Sequence, residues 1–130
     1  FYYNILGEMG KSKIIDNLYI GELSNAINKK VIQEEGIIFV VDVRPHFSPA
    51  AYTLQPSILS LFDGIIILID NNIPVMVYCS GVIDRGPFVA TAVMKYTRGC
   101  SWDEAWEIVS KGRPQSFRHH EWEKEWDNFY

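Results

Sequence analysis

The stretch that decides the fold reads VMVYCSGVIDRGP and covers residues 75–87. Its first four residues form a continuous apolar run after a turn, which is typical of a strand buried on both faces. Pro87 suits the first position of a helix, and the largely apolar residues between it and Gly99 predict a central helix. The stretch therefore predicts a buried strand, a short loop that starts at Cys79, and a helix whose N-terminus faces that loop.

The segments on either side of this stretch are predicted to alternate between strand and helix. Residues 57–70 would suit either structure, and their length, with Ser57 as a cap after Pro56, favours a helix. The order of elements predicts an α/β sandwich with a central, mainly parallel twisted sheet flanked by helices. The remaining predicted elements are two short strands over 13–21, a helix from Ser24 to Gly36, a strand buried on both faces over 37–43, a helix that a capping box opens at 101–104, and a final helix over 120–129.

Length and composition are those of one globular domain. The chain has 130 residues without a repeat, a linker or a low-complexity stretch, so residues 1–130 are predicted to form a single domain. The net charge of -4 argues against a broad nucleic-acid or anionic-membrane surface. No apolar run approaches the roughly 18 residues that a membrane span needs. Two cysteines and the lack of a signal peptide at the start predict a reducing, cytoplasmic location.

Cys79 is the residue that we expect to carry the chemistry. A thiol between a buried strand and a helix N-terminus lies where backbone N–H groups and the helix dipole bind anions. The same positive field lowers the pKa of a thiol and so favours a nucleophilic thiolate. Arg85, six residues later, can bind two phosphate oxygens with its planar guanidinium group. These features predict a site for covalent phosphoryl transfer, and the alternative is that Cys79 is a small core residue.

From Lys13 to Trp126 the sequence resembles a small dual-specificity phosphatase of the protein tyrosine phosphatase superfamily. The similarity lies in IDNLYIG at 15–21, in the loop segment at 75–85, and in SWDEA at 101–105 followed by Arg113-Pro114. The resemblance implies a phosphatase-like three-layer sandwich. It also implies hydrolysis of phosphotyrosine, and of phosphoserine or phosphothreonine, in a protein or in a related phosphomonoester, without a metal or another cofactor.

The resemblance also implies roles for individual residues. Cys79 would attack phosphorus to form a phosphocysteine intermediate, and Arg85 would bind the phosphate and stabilise the transition state. The phosphate would be bound by the loop residues Ser80, Gly81, Val82, Ile83 and Asp84 together with Arg85.

Three positions of this loop depart from the family pattern. Tyr78 stands where the family has a histidine that helps to tune the thiolate. Val82 stands at the position of the loop glycine, and a β-branched residue tolerates a positive φ poorly. Gly86 replaces a serine or threonine whose hydroxyl group assists breakdown of the phosphocysteine. Each change predicts a slow enzyme, a loop that must rearrange, or a pseudo-phosphatase that binds phosphorylated partners.

The acidic residues near this loop have open roles. Asp84 resembles the Asp of the Asp-Arg pair in myotubularin-like and Sac-type lipid phosphatases, but a carboxylate facing a phosphate repels it, so we expect Asp84 to turn outward and cap the helix. Asp42, at the end of the first long strand, is the predicted general acid. The alternative for Asp42 is a strand-end carboxylate bonded to neighbouring backbone N–H groups. His46 and Asp63 are lesser candidates for the acid.

Two other functions stay open. VVDVRP at 40–45, followed by Val77-Tyr78-Cys79, resembles a rhodanese-type sulfurtransferase, in which the cysteine carries a persulfide and the Asp-x-Arg strand is structural. The second open function is that of a catalytically silent module that binds phosphate. The expected partner is a phosphorylated protein or another phosphomonoester, and the sequence does not indicate an oligomeric state.

The other residues that could attract a function are expected to be structural. Adjacent histidines on a helix point in different directions, so His119 and His120 are predicted to be solvated rather than to bind a metal. Cys100 is predicted to be structural. The four tryptophans are predicted to lie in the core or at the seam of the last two helices: Trp102, Trp106, Trp122 and Trp126.

Overall fold

A four-stranded sheet lies at the centre of the computed structural model, which describes residues 11–47, 53–79 and 84–130. The strands lie in the order β1-β2-β4-β3. Strand β1 runs antiparallel to β2, and β4 runs parallel to both β2 and β3, which confirms a mainly parallel sheet. The strands are β1 (Ser12–Ile15), β2 (Leu18–Glu22), β3 (Phe39–Asp42) and β4 (Val75–Cys79).

Helices pack on both faces of this sheet. Side chains alternate between the faces of a strand, and the core divides accordingly. Val75 and Val77 of β4 belong to the larger apolar cluster, whereas Met76 belongs to a smaller one with Tyr19 on the other face. The predicted α/β sandwich is therefore confirmed as three layers. The helices are α1 (Leu23–Ala26), α2 (Lys29–Glu35), α3 (Ile58–Asp70), α4 (Arg85–Arg98), α5 (Trp102–Gly112) and α6 (His120–Phe129).

Most element boundaries follow local signals in the sequence. Asn17 turns the β1-β2 hairpin with a φ of 73°, and Gly99 ends α4 with a φ of 61°. Ser101 and Glu104 form the predicted capping box at the start of α5. None of the helices within the described ranges is both long and apolar enough to cross a membrane.

Three predicted features are wrong in detail. Strand β3 is shorter than residues 37–43 and lies at the edge of the sheet, so Phe39 and Val40 are 48% and 37% exposed instead of buried on both faces. The single helix predicted from Ser24 to Gly36 is two helices, because the Asn28 side chain accepts hydrogen bonds from two backbone N–H groups and starts α2 afresh. Helix α4 begins two residues before Pro87, at Arg85.

An aromatic cluster joins the C-terminal helix to the rest of the core. The Trp122 ring lies 4.9 Å from that of Phe47 and 5.7 Å from that of Phe88, and Trp126 lies 4.8 Å from Phe62. Trp122 and Trp126 are buried, as predicted, while Trp102 and Trp106 are half-buried at the surface of α5. Helix α6 is therefore part of the larger apolar cluster, beside α3 and α4.

Candidate active site

Cys79 is the last residue of the central strand β4, and its side chain is 2% exposed. It is buried because β4 is covered on both faces and because α4 starts directly above the end of the strand. The backbone N–H of Gly86, in the first turn of α4, donates a hydrogen bond to the Cys79 sulfur. The predicted strand, thiol and helix N-terminus are thus brought together.

Arg85 is the first residue of α4 and is half-buried. Its Nε atom is buried and has no hydrogen-bond partner among the described residues. This leaves a guanidinium group at the same helix N-terminus as the thiol. The loop residues that were predicted to bind phosphate, Ser80, Gly81, Val82 and Ile83, lie outside the described residues, so their role stays a prediction.

The electrostatics of Cys79 differ from the expected thiolate. Burial raises the pKa of the Cys79 thiol, and this is the largest influence on it. The Gly86 N–H and the positive charges of Arg113 and Arg85 lower the pKa, while the carboxylate of Asp84 raises it again. The net pKa lies above that of an ordinary cysteine, so the thiol is mostly protonated at neutral pH.

Arg113 is a charged residue near the site whose electrostatic role was not predicted from the sequence. It is 1% exposed, its Nη2 lies 3.6 Å from Oε1 of Glu22, and its Nη1 donates to Ser12 Oγ at 3.3 Å. Glu22 pairs with Cys79 in the β2-β4 register, which places Arg113 beside the end of β4. The available signal was the Arg-Pro pair after α5, which predicted only the end of a helix.

Asp84 does not turn outward. It occupies the N-cap position of α4 but makes no side-chain capping hydrogen bond, and it is 8% exposed. Its Oδ2 atom lies 2.8 Å from Nε2 of His119. The expectation of an outward capping carboxylate was wrong because His119, the N-cap residue of α6, binds the carboxylate instead.

His119 is correspondingly not the solvated residue that was predicted. Its side chain is mostly buried, and its ring stacks on Trp122 with centroids 3.7 Å apart. His120 is exposed, as predicted. The residues described contain no cluster of three His, Cys, Asp or Glu side chains that could hold a metal ion.

Asp42 is bound by its neighbour Arg44. The Arg44 side chain donates from Nε at 2.8 Å and from Nη2 at 2.7 Å, and its backbone N–H donates at 3.0 Å. These contacts hold the pKa of Asp42 below its usual range, whereas a general acid must carry a proton. Asp42 also pairs with Tyr78, and strand alternation places both side chains on the face opposite to Cys79. The acid role stays a prediction that this geometry disfavours.

The lesser candidates for the acid lie in other surroundings. His46 Nδ1 lies 2.9 Å from Ser57 Oγ, and burial lowers the pKa of the ring, which favours neutral imidazole. Asp63 lies exposed on α3, where it lines a surface pocket with Tyr96 and Tyr130. Cys100 is half-buried at the end of α4, and its thiol is directed at the Met94 carbonyl, 3.9 Å away, which fits a structural residue.

Curated relatives of the chain are dual-specificity phosphatases, while no family model matches it. It is 26% identical over 126 residues to human dual specificity protein phosphatase 16, an alignment that covers 84% of this chain and 19% of the relative. It is 27% identical over 123 residues to human dual specificity protein phosphatase 8, covering 82% of this chain and 20% of that one. The chain thus spans about a fifth of the length of the curated relatives that it matches.

Solved structures show the same fold. A leucine rich repeat and phosphatase domain containing protein from Entamoeba histolytica aligns with a TM-score of 0.78 and 16% identity, covering 95% of this chain and 92% of that one. The human tyrosine phosphatase-like serine/threonine/tyrosine-interacting protein aligns with a TM-score of 0.68 and 19% identity, covering 92% and 97%. The expected phosphatase-like three-layer sandwich is confirmed.

Proposed function

We propose that the chain, which is similar in sequence to dual-specificity phosphatases, is a cysteine-dependent phosphatase of phosphorylated proteins. The observation that carries the proposal is the meeting of Cys79 with the N-terminus of α4. The Gly86 N–H bonds to the sulfur, and Arg85 starts the same helix. A nucleophile, an anion-attracting helix end and a guanidinium group are the parts that phosphoryl transfer through cysteine requires.

In this mechanism the Cys79 thiolate attacks phosphorus, and a P–S bond forms as the bond to the ester oxygen breaks. The leaving oxygen takes a proton from a general acid or from water, and a second water then hydrolyses the phosphocysteine. Arg85 holds two phosphate oxygens and balances the charge of the transition state. The pair with Arg44 disfavours Asp42 as this proton donor, so its role as the general acid stays a prediction from the sequence.

The proposed enzyme is slow at neutral pH. The pKa of Cys79 is raised, so only a small fraction of the thiol is ionised. Gly86 also lacks the hydroxyl group that would assist the second step. We place the activity in one domain, in a reducing compartment such as the cytoplasm, where the thiol stays reduced. The net charge of -4 supports a protein substrate rather than a nucleic acid.

Turnover of phosphopeptides by the parent chain and by Cys79→Ser tests the proposal. Phosphotyrosine and phosphothreonine peptides should release phosphate with the parent and not with Cys79→Ser, and acid quench during turnover should trap phosphate on the parent chain. Cys100→Ser is the matched control, and it should keep full turnover because Cys100 lies away from the helix N-terminus.

Three outcomes would contradict the proposal. Turnover by Cys79→Ser would remove the thiol from the mechanism. Sulfur transfer from thiosulfate to cyanide by the parent would assign the site to a sulfurtransferase. Tight phosphopeptide binding without any turnover, at neutral pH or above, would assign it to a silent binding module.

A further inference from the structure

The contact between Asp84 and His119 joins the start of helix α4 to the start of helix α6. The Nε2 and Oδ2 atoms are 2.8 Å apart, and both side chains are largely buried. An ionised carboxylate can only accept hydrogen bonds, so His119 must donate from Nε2, as a neutral ring with its proton there or as an imidazolium. The second carboxylate oxygen, Oδ1, is buried and has no partner among the described residues. His119 is thus the described group that holds this carboxylate.

The His119 ring is itself held by aromatic neighbours. It stacks on Trp122 at an interplanar angle of 23°, and Phe117 meets its edge with centroids 5.1 Å apart. Trp122 is 1% exposed and packs on Phe47 and Phe88 in the core. The position of the Nε2 donor is therefore set by the packing of α6 rather than by a mobile surface side chain.

The other charged groups around His119 already have partners. Arg118 binds Asp103 at 2.7 Å and Glu123 at 2.8 Å, and the Glu123 carboxylate also lies 3.6 Å from His120. Asp84 is the N-cap residue of α4, so Arg85 follows it directly in the chain. The Asp84 carboxylate is also one of the charges that act on the pKa of Cys79. Asp84 is therefore the charged group whose orientation His119 controls.

The location of Asp84 makes this control important. A carboxylate that swung toward the helix N-terminus would repel a phosphate dianion and would compete with it for the Arg85 guanidinium. We propose that His119 is a positioning residue, an inference that rests on the proposed phosphatase function. It keeps the Asp84 carboxylate against the start of α6, so that Arg85 and the N-terminus of α4 are left to bind the phosphate.

The test compares the binding of inorganic phosphate, as a competitive inhibitor, with KM and kcat for p-nitrophenyl phosphate. His119→Ala should weaken phosphate binding and raise KM by about tenfold each, with a smaller change in kcat, because the group affects oxyanion binding more than bond breaking. His119→Gln keeps an N–H donor and should recover most of the affinity. His120→Ala, at the exposed neighbouring position, should match the parent.

Variants of Asp84 separate positioning from folding. The double variant Asp84→Asn/His119→Ala lacks the negative charge and should bind phosphate about as well as the parent, although it also lacks the histidine. Asp84→Asn alone should bind phosphate at least as well as the parent. This variant still tests the proposal if His119→Ala does not fold. Weaker phosphate binding by Asp84→Asn, or a folded His119→Ala with parental phosphate affinity, would overturn the positioning role.

These outcomes differ from a failure of the proposed function. If the parent chain bound no phosphate and turned over no phosphomonoester, both proposals would fall together. If the parent bound and hydrolysed as expected while His119→Ala behaved like His120→Ala, only the role of His119 would be wrong.

Discussion

At the scale of single residues, burial and helix geometry act in opposite directions on Cys79. The end of a central strand places the sulfur beside a helix N-terminus, which favours the thiolate, but the same position removes it from water, which favours the thiol. Burial is the larger influence, and the pKa of Cys79 is raised. The reactivity of the parent chain should therefore be limited by ionisation of this sulfur.

Alkylation of Cys79 by iodoacetamide should show this limit directly. In Cys100→Ser, where Cys79 is the remaining cysteine, the rate at pH 7 should be below that of a free cysteine and should keep rising above pH 8.5, about where a free thiol is half ionised. Mass spectrometry of the labelled chain follows the reaction, and a cysteine-containing peptide is the reference. A rate that is already maximal near pH 6 would contradict the raised pKa.

Replacement of Asp42 distinguishes a structural carboxylate from a general acid. Because the Arg44 pair lowers the pKa of Asp42, its stabilising effect is present above the unfolded-state pKa of about 3.9 and is lost as the pH falls through the lower folded-state value. Asp42→Asn should therefore have a free energy of unfolding about 1 kcal/mol below that of the parent at pH 6, as measured by urea unfolding. This difference should shrink below pH 4.

The same variant should slow alkyl and aryl phosphates equally, if it slows them at all. Selective slowing of alkyl phosphates, whose leaving oxygens need a proton most, would instead restore Asp42 as the general acid.

At the scale of elements, the start of α4 leaves little room for a side chain at Gly86. A Cβ there would lie 3.1 Å from Cγ2 of Ile20 and 3.8 Å from the Cys79 sulfur. The family has a residue with a hydroxyl group directly after the arginine, and this chain has Gly86 there. Strand β2 packs closely against the first turn of the helix at this position. Gly64, on the exposed face of α3, has no atom within 4 Å of such a Cβ.

These two glycines should respond oppositely to alanine. Gly64→Ala should stabilise the chain by up to about 1 kcal/mol, because alanine is the better helix former and meets no neighbour. Gly86→Ala gains the same propensity but must push against Ile20, so it should be destabilising by about 1 kcal/mol or more. Urea unfolding of both variants beside the parent measures the difference. Equal stabilisation by both would show that the first turn of α4 is not tightly packed.

Local signals predicted the helices better than they predicted burial. The Ser101 capping box, the Gly99 end and the apolar spacing over residues 57–70 depend on neighbouring residues, so the sequence contains the whole cause. The apolar run at 37–43 is compatible with a central or an edge strand, and the β1-β2-β4-β3 order, which decides between them, depends on distant pairing.

The site shows the same division. Its centre, Cys79 and Arg85, was predictable because both residues belong to one strand, loop and helix unit. The contact from Asp84 to His119 spans 35 positions and depends on where α6 packs, which no local pattern indicates. The pKa of Cys79 was predicted in the wrong direction, because sequence shows the helix N-terminus but does not measure how deeply the sulfur is buried.

At the scale of the whole molecule, the proposed phosphate site adjoins the larger apolar cluster, which contains Cys79, Phe88 and Trp122. Trp122 of α6 packs on Phe88 of α4, and α4 starts above the end of β4, so a ligand at the α4 N-terminus would contact a helix that is buried in this cluster. An anion that binds only the folded chain must therefore stabilise the whole fold and not a separate lobe.

Thermal unfolding in the presence of phosphate tests this linkage. At a phosphate concentration about 100 times its Kd, the folded parent should gain about 2.7 kcal/mol and melt at a higher temperature. Cys79→Ser should gain as much, because Arg85 and the helix N-terminus are intact, whereas Arg85→Ala should gain far less. Arg98→Ala, at the exposed other end of the same helix, is the matched control and should respond like the parent, with sodium chloride at equal ionic strength as the reference. Equal stabilisation of Arg85→Ala and Arg98→Ala would mean that phosphate acts as a general salt, and the anion site would then have to lie somewhere other than the first turn of α4.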